Sequence, residues 1–194
     1  MILVLLGGTA SGKTKIEEAL REQYGFKSAV SYTTRKLREE EINGVHYHFI
    51  DNTQFMRMVD CEEMIEWDEY SQGRKYGTTA QSYLAGGDIV AVLTPNGFRQ
   101  LKKSLSNEKI YSVLVEANLG TRIKRYVDRC GVDKFNFEDK NEICSRVERD
   151  FGMFKGVENE VDLVVRNDEG QDIATIVMAI IHMIIQKRIL EECK

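Results

Sequence analysis

The segment Gly7-Gly8-Thr9-Ala10-Ser11-Gly12-Lys13-Thr14 follows an apolar run, Ile2 to Leu6, and precedes a helical pattern from Lys15 to Gln23. Strand, glycine-rich turn and helix in that order form a phosphate-binding loop in its structural setting, which leaves the chain few folds to adopt. Gly7 and Gly12 let the backbone curl around a phosphate, and the nest of N–H groups meets the positive end of a helix. Lys13 supplies a point charge for the β- and γ-phosphates, and the Thr14 hydroxyl a ligand for Mg²⁺. A plain turn needs neither. Nucleoside-triphosphate chemistry is therefore the first expectation, with all eight residues, Gly7, Gly8, Thr9, Ala10, Ser11, Gly12, Lys13 and Thr14, as candidate ATP ligands.

Short β-branched runs at Ile2 to Leu6, Asp88 to Thr94, Lys109 to Glu116 and Asp162 to Arg166 alternate with amphipathic helical patterns. Such alternation predicts a parallel sheet with helices on both faces. Between the first helix and Asp88 the chain turns more polar and aromatic, with strand-like pieces at Val45 to Ile50 and Met64 to Tyr70 around a helix near Asn52 to Val59. That texture reads as an inserted lobe. From Thr121 to Phe154 the helical patterns are dense in Arg122, Lys124, Arg125, Arg129, Arg146 and Arg149, as in a mobile helical lid.

A net charge of -4 with interspersed signs provides no general basic surface for nucleic acid. The four cysteines, Cys61, Cys130, Cys144 and Cys193, lack zinc-ligand spacing and read as reduced thiols of a cytoplasmic protein. The amino terminus reads as a buried strand without a leader. The longest apolar stretch, Ile173 to Ile185, falls short of the roughly 20 residues that span a bilayer, so a core helix is expected, with His182 as a packing residue and no membrane partner. The same face could serve a dimer, leaving monomer and homodimer both open.

A second constellation runs from Ser31 through Thr33-Thr34-Arg35 and Arg38 to Glu39-Glu40-Glu41, then Asn43-Gly44 and Tyr47 to Phe49. Arg35 and Arg38 could offer planar forks to one phosphate; a salt-bridged loop with Glu39 to Glu41 is the plainer alternative. The segment resembles the guanylate kinase family pattern S-x-T-T-R-x-x-R-x-x-E-x-x-G-x-x-Y-x-F, without a gap. Ile65-Glu66-Trp67, Tyr76-Gly77-Thr78, the lid arginines and Val164-Val165-Arg166-Asn167-Asp168 follow in the family's order, so the resemblance covers nearly the whole chain.

The resemblance implies an α/β chain with the three-layer P-loop NTPase fold: a central parallel five-stranded sheet, an inserted small α+β lobe for a nucleoside monophosphate, and a helical lid. The core would comprise residues 1–30, 83–120 and 156–194, the lobe 31–82 and the lid 121–155. Arg35, Arg38, Tyr47 and Tyr76, with Glu41 in the same loop, would hold the acceptor phosphate. Ser31, Glu66 and Thr78 would face the base, since guanine presents N1–H and an exocyclic amine to a carboxylate and O6 to a hydroxyl. Trp67 is read as packing. Arg125, Arg129 and Arg146 would reach the triphosphate, with Arg149 as a rival to Arg146, and Asn167 and Asp168 would lie near adenine. The implied reaction is in-line transfer from MgATP to GMP or dGMP, with Mg²⁺ the only cofactor.

One departure stands out. The family carries an Asp-x-Asp pair where this chain has Val92 and Thr94, neither of which can supply negative charge. Thr94 could still hydrogen-bond the base or a water. The substitutions leave two alternatives on the table: a related kinase with another nucleoside monophosphate or a phosphorylated sugar as acceptor, and a non-catalytic binding module, which the intact Gly12-Lys13-Thr14 opposes.

Overall fold

A computed structural model describes residues 1–38, 41–70 and 73–193. Strands and helices alternate in the order β1 (Ile2–Leu6), α1 (Lys13–Tyr24), β2 (Lys27–Ser28), β3 (Tyr32–Thr33), β4 (His48–Phe49), α2 (Asn52–Asp60), β5 (Met64–Glu69), β6 (Lys75–Thr79), α3 (Ala80–Tyr83), β7 (Ile89–Val92), α4 (Pro95–Ser104), β8 (Ile110–Glu116), α5 (Leu119–Cys130), α6 (Phe137–Met153), β9 (Leu163–Arg166) and α7 (Ile173–Glu192). A central parallel five-stranded sheet has the order β2-β7-β1-β8-β9, as expected for the α/β P-loop fold. Its middle strand β1 is buried along its whole length, which explains a continuous apolar run in place of alternation.

The chain divides into two compact units, Met1–Val4 with Gly25–Ile110, and Leu5–Tyr24 with Tyr111–Lys194. The first contains a four-stranded sheet, β4-β3-β6-β5, in which β3 pairs parallel with β4 and antiparallel with β6, and β6 pairs antiparallel with β5. Its register sets Glu66 against Thr78, Trp67 against Gly77 and Asp68 against Tyr76. Because side chains alternate across a strand, Glu66, Asp68, Thr78 and Tyr76 share one face, while Trp67 lies on the other. There Trp67 meets Phe55 of α2 edge to face, with ring centroids 6.3 Å apart. Gly77 allows this packing: a Cβ at that position would come within 2.8 Å of Trp67 Cβ and 3.1 Å of Phe55 Cζ. Gly77→Ala is expected to destabilise the protein by about 1–3 kcal/mol, measured as a lower urea midpoint with an unchanged m-value.

Several expected boundaries shift for local reasons. The strand anticipated to reach Thr94 ends at Val92, because Thr94 caps α4 by accepting from Gly97 N at 3.1 Å and Pro95 occupies the first turn. The anticipated strand Val45 to Ile50 shrinks to His48–Phe49, and β2, β3 and β6 form where no strand was expected. Residues 27–28 and 32–33 are too few to show a period; their pairing is set by their neighbours.

The last helix corrects two expectations. α7 continues beyond the apolar run to Glu192, and by length and composition its 20 residues, with mean hydropathy 1.7 over an 18-residue window, are enough to cross a membrane. Within its unit it packs on α1 and β9 and buries Ile176, Val177, Ile180, Met183 and Ile184, as a core helix does. His182 falls off that stripe and is exposed, so it is not a packing residue. The four cysteines are free thiols.

Candidate active site

The phosphate loop and its surroundings belong to the second unit. Gly12 adopts φ +96°, and a Cβ there would strike Asn167 Nδ2. Only glycine allows that approach. Ala10 also lies in the left-handed region, at φ 59°, a strained conformation often found in functional loops. The Lys13 ammonium is enclosed and donates to Gly7 O at 2.5 Å, Gly8 O at 3.0 Å and Ser11 Oγ at 3.5 Å. Burial lowers its pKa to about 8; Asp150 pulls it upward, while Arg122 and Arg129 push it further down. Thr14 is exposed on the first turn of α1.

Side chains from α5, α6 and the segment after β9 surround this loop. Arg125 donates to Ser11 O and Asn167 Oδ1, each at 3.3 Å, and Asn167 Nδ2 donates to Ser11 O at 2.9 Å. Arg129 contributes charge at Lys13 and lies 5.0 Å from the Tyr126 ring centroid. Arg146 is instead buried beside Tyr126 and pairs with Glu142 through both Nε and Nη2. The sequence did not single out Arg122 and Asp150 as a pair. Arg122 Nε donates to Thr9 O at 2.7 Å, Asp150 Oδ2 accepts from Thr9 N at 2.7 Å, and the two side chains bond each other, so they bracket the Thr9 peptide. A cavity of about 710 Å³ adjoins the loop, lined among others by Gly8, Asn118, Arg122, Phe151 and Asp168. Asp168 Oδ1 accepts from Asn118 N at 2.6 Å, which ties the β9 exit to the cap of α5.

In the first unit, a cationic centre forms around Arg35, which is 8% exposed. Its guanidinium makes a bidentate pair with Glu41 at 2.7 and 2.8 Å and lies 5.4 Å from the ring centroids of both Tyr47 and Phe49. Burial alone would lower its pKa, but the Glu41 hydrogen bond and the charges of Tyr76, Glu41 and Tyr47 hold it above the ordinary value. Glu41 also accepts from Arg38 N at 2.9 Å and faces Arg38 Nη1 at 3.7 Å. Although burial would raise its pKa, these arginines hold it down. Tyr47 and Tyr76 meet edge to face at 5.9 Å. Arg35, Arg38, Glu41, Tyr47 and Tyr76 thus form one cluster; Glu39 and Glu40, the other carboxylates anticipated there, lie outside the described residues.

A buried carboxylate lies further along the same sheet. Glu66 is 4% exposed and accepts from Tyr83 O–H at 3.1 Å; Thr78 also hydrogen-bonds it, and Ser31 Oγ lies 2.8 Å from Thr78 Oγ1. Burial raises the Glu66 pKa to about 7 against the pull of the Thr78 and Tyr83 hydrogen bonds, with the nearby Asp68 charge adding to the rise. Burial beside Glu66 also drives the Tyr83 phenol well above its usual range. Tyr83 and Asp68 gave no signal in the sequence, because Tyr83 matters only where α3 meets Glu66 of β5, and Asp68 only where β5 meets the start of α4.

The chain therefore combines a lysine-bearing phosphate loop with a separate arginine and tyrosine cluster beside a buried carboxylate. The guanylate kinase family model matches residues 1–184. A guanylate kinase from Wolinella succinogenes is 31% identical, over 97% of this chain and 86% of that protein, and one from Desulfitobacterium hafniense is 29% identical over 87% and 82%. A crystal structure of guanylate kinase from Anaplasma phagocytophilum has the same fold, with a TM-score of 0.70 at 20% identity, covering 96% of this chain and 85% of the other. From β1 into α7, this chain belongs to the guanylate kinase family.

Proposed function

We propose that this chain transfers the γ-phosphoryl group of ATP to GMP, and also to dGMP, giving ADP and the guanosine diphosphate. The observation that carries the reading is the buried Glu66 on one sheet face with Thr78, hydrogen-bonded to it and to Ser31, and with Tyr76 one step along. A carboxylate that accepts from N1–H and hydroxyls that donate to O6 match guanine; adenine, with an unprotonated N1, leaves the carboxylate without a donor. Arg35, Arg38, Tyr47 and Tyr76 hold the acceptor phosphate, and Glu41 orients the two arginines.

On the donor side, residues 7–14 wrap the triphosphate and Lys13 neutralises charge on its β- and γ-oxygens. The residues around the loop suit Mg²⁺: the exposed Thr14 hydroxyl would hold it together with phosphate oxygens and water, a coordination this ion commonly takes. When bound, Mg²⁺ would offset charge on the phosphates beside Thr14. Arg125 and Arg129 stand at the loop as the lid arginines, and Arg146, fixed by Glu142 beneath Tyr126, supports that helix pair. An acceptor oxygen attacks the γ-phosphorus as the bond to the β-phosphate oxygen breaks, and no general base is needed because the attacking phosphate is already ionised. Asn167 and Asp168 border the nucleoside end of ATP, residues 31–82 form the acceptor lobe and 121–155 the lid. The free thiols support a reducing, cytoplasmic setting.

The test is a coupled ADP-release assay with MgATP against GMP, dGMP, AMP, CMP, UMP, dTMP and ribose 5-phosphate. Turnover restricted to GMP and dGMP is expected. Preference for another acceptor, or silence across the panel from a protein that still binds ATP, overturns the reading.

A further inference from the structure

Where the family pattern leads one to expect acids at the end of β7, the chain has Val92 and Thr94, yet the site does not lack a second carboxylate. Asp68 comes from β5, a strand of the other sheet, against which α4 packs. Its Oδ2 accepts from the Thr94 hydroxyl at 2.6 Å and its Oδ1 from Asn96 Nδ2 at 3.2 Å. Thr94 spends its one proton on Asp68 and accepts from Gly97 N, so the cap of α4 and the carboxylate of β5 are joined through one oxygen. Gly97 brings this corner against Glu66, because a Cβ there would lie 2.7 Å from Glu66 Oε2. The two carboxylates share a strand face two residues apart, and Asp68 is half-buried, with lone pairs left after its two bonds.

The sheet register sets these groups on two successive rungs. Thr78 and Glu66 form one rung, and Tyr76 and Asp68 the next, about 7 Å along the strand toward the cluster that holds the acceptor phosphate. Guanine carries its edge groups in the matching order. Along its Watson–Crick edge O6 comes first, then N1–H, then the exocyclic amine on the sugar-edge side. Resting on the guanylate reading above, we infer that Asp68, fixed by Thr94, is the carboxylate that accepts from the exocyclic amine of guanine. It is a specificity-determining residue, moved from the end of β7 to β5. Glu66 reads N1–H, and its Oε1 is already engaged by Tyr83. The chemistry also explains why Glu66 and Asp68 stand close together despite like charge: a ligand edge presenting adjacent N–H donors compensates both.

The test compares GMP with IMP, which lacks only the exocyclic amine, in the full-length protein. Wild type is expected to prefer GMP. Asp68→Ala lowers the GMP-to-IMP ratio of kcat/KM by about 10- to 100-fold, the range for a hydrogen bond to a charged group. The loss appears mainly with GMP, and Thr94→Val shifts the ratio in the same direction by less. Asp68→Leu, similar in size and without an acceptor, gives the same readout should the alanine variant fail to fold. Thr94→Asp placed in the Asp68→Ala background returns a carboxylate to the end of β7 and restores part of the ratio. Equal losses with GMP and IMP assign Asp68 a structural role and overturn the inference alone, as does a wild type that does not discriminate between the two. A wild type inactive on GMP overturns the guanylate reading as well.

Discussion

Glu66→Gln lowers kcat/KM for GMP by about 10²- to 10⁴-fold and at the same time raises the melting temperature of the protein above pH 7. On the proposed function, the loss of activity follows from the acceptor edge: the carboxylate would take hydrogen bonds from guanine, whereas an amide turns an N–H toward another N–H and leaves a buried donor unpaired. The gain in stability follows from burial. Glu66 is 4% exposed, and its pKa is raised from 4.5 to about 7. In the unfolded chain the proton leaves near the ordinary carboxylate value, whereas in the folded chain it stays until about pH 7. The Glu66 contribution is therefore fully present below about 4.5 and is lost as pH rises through 7. A shift of that size corresponds to a few kcal/mol at about 1.4 kcal/mol per unit.

The difference in melting temperature between variant and wild type should accordingly be small at pH 5, where protonated Glu66 resembles glutamine, and should open toward pH 8.5. In the same interval, wild-type kcat/KM for GMP should rise with pH as the carboxylate ionises, and the variant's profile should be flatter. Thermal melts and steady-state assays at the same pH values read both effects. A variant that melts below wild type at pH 8.5 would show that Glu66 contributes more through Tyr83 and Thr78 than its burial costs.

The phosphate loop was legible in the sequence because all its determinants are local: an apolar strand, two positioned glycines and a lysine–threonine pair opening a helix. The arginine and tyrosine cluster was legible mainly through the resemblance to the family pattern, spacing alone pairing only Arg35 with Arg38, and Arg35, Arg38, Glu41, Tyr47 and Tyr76 do come together. What could not be read depends on contacts distant in sequence. Asp150 reaches Thr9 across 141 positions, and Asp68 reaches Thr94 across 26. A linear pattern records Thr94 as a missing acid, whereas the fold sets a carboxylate from β5, a strand of the other sheet, against it. His182 shows the opposite failure. Set in an apolar run it reads as interior, but only one stripe of α7 is covered and position 182 is outside it.

Lys13→Met should reduce kcat by about 10³-fold, comparable to removing a transition-state donor in other enzymes, without unfolding the protein. The ammonium is the only side-chain charge carried by residues 7–14, and phosphoryl transfer depends on charge placed at the transferring oxygens in advance. Its burial has a cost that methionine removes. With its folded pKa lowered to about 8, Lys13 takes up a proton in the unfolded chain near 10.5 but in the folded chain only near 8, so its contribution to stability is lost as pH falls through 8. At pH 7 the variant forfeits the hydrogen bonds to Gly7 O and Gly8 O but escapes that penalty, and its melting temperature should stay within a few degrees of wild type. What should disappear is the rise in melting temperature on adding MgATP, because the triphosphate has lost its fixed counter-charge. A variant that keeps more than a tenth of wild-type kcat, with normal stabilisation by MgATP, would remove Lys13 from the catalytic charge and leave Arg125 and Arg129 to supply it.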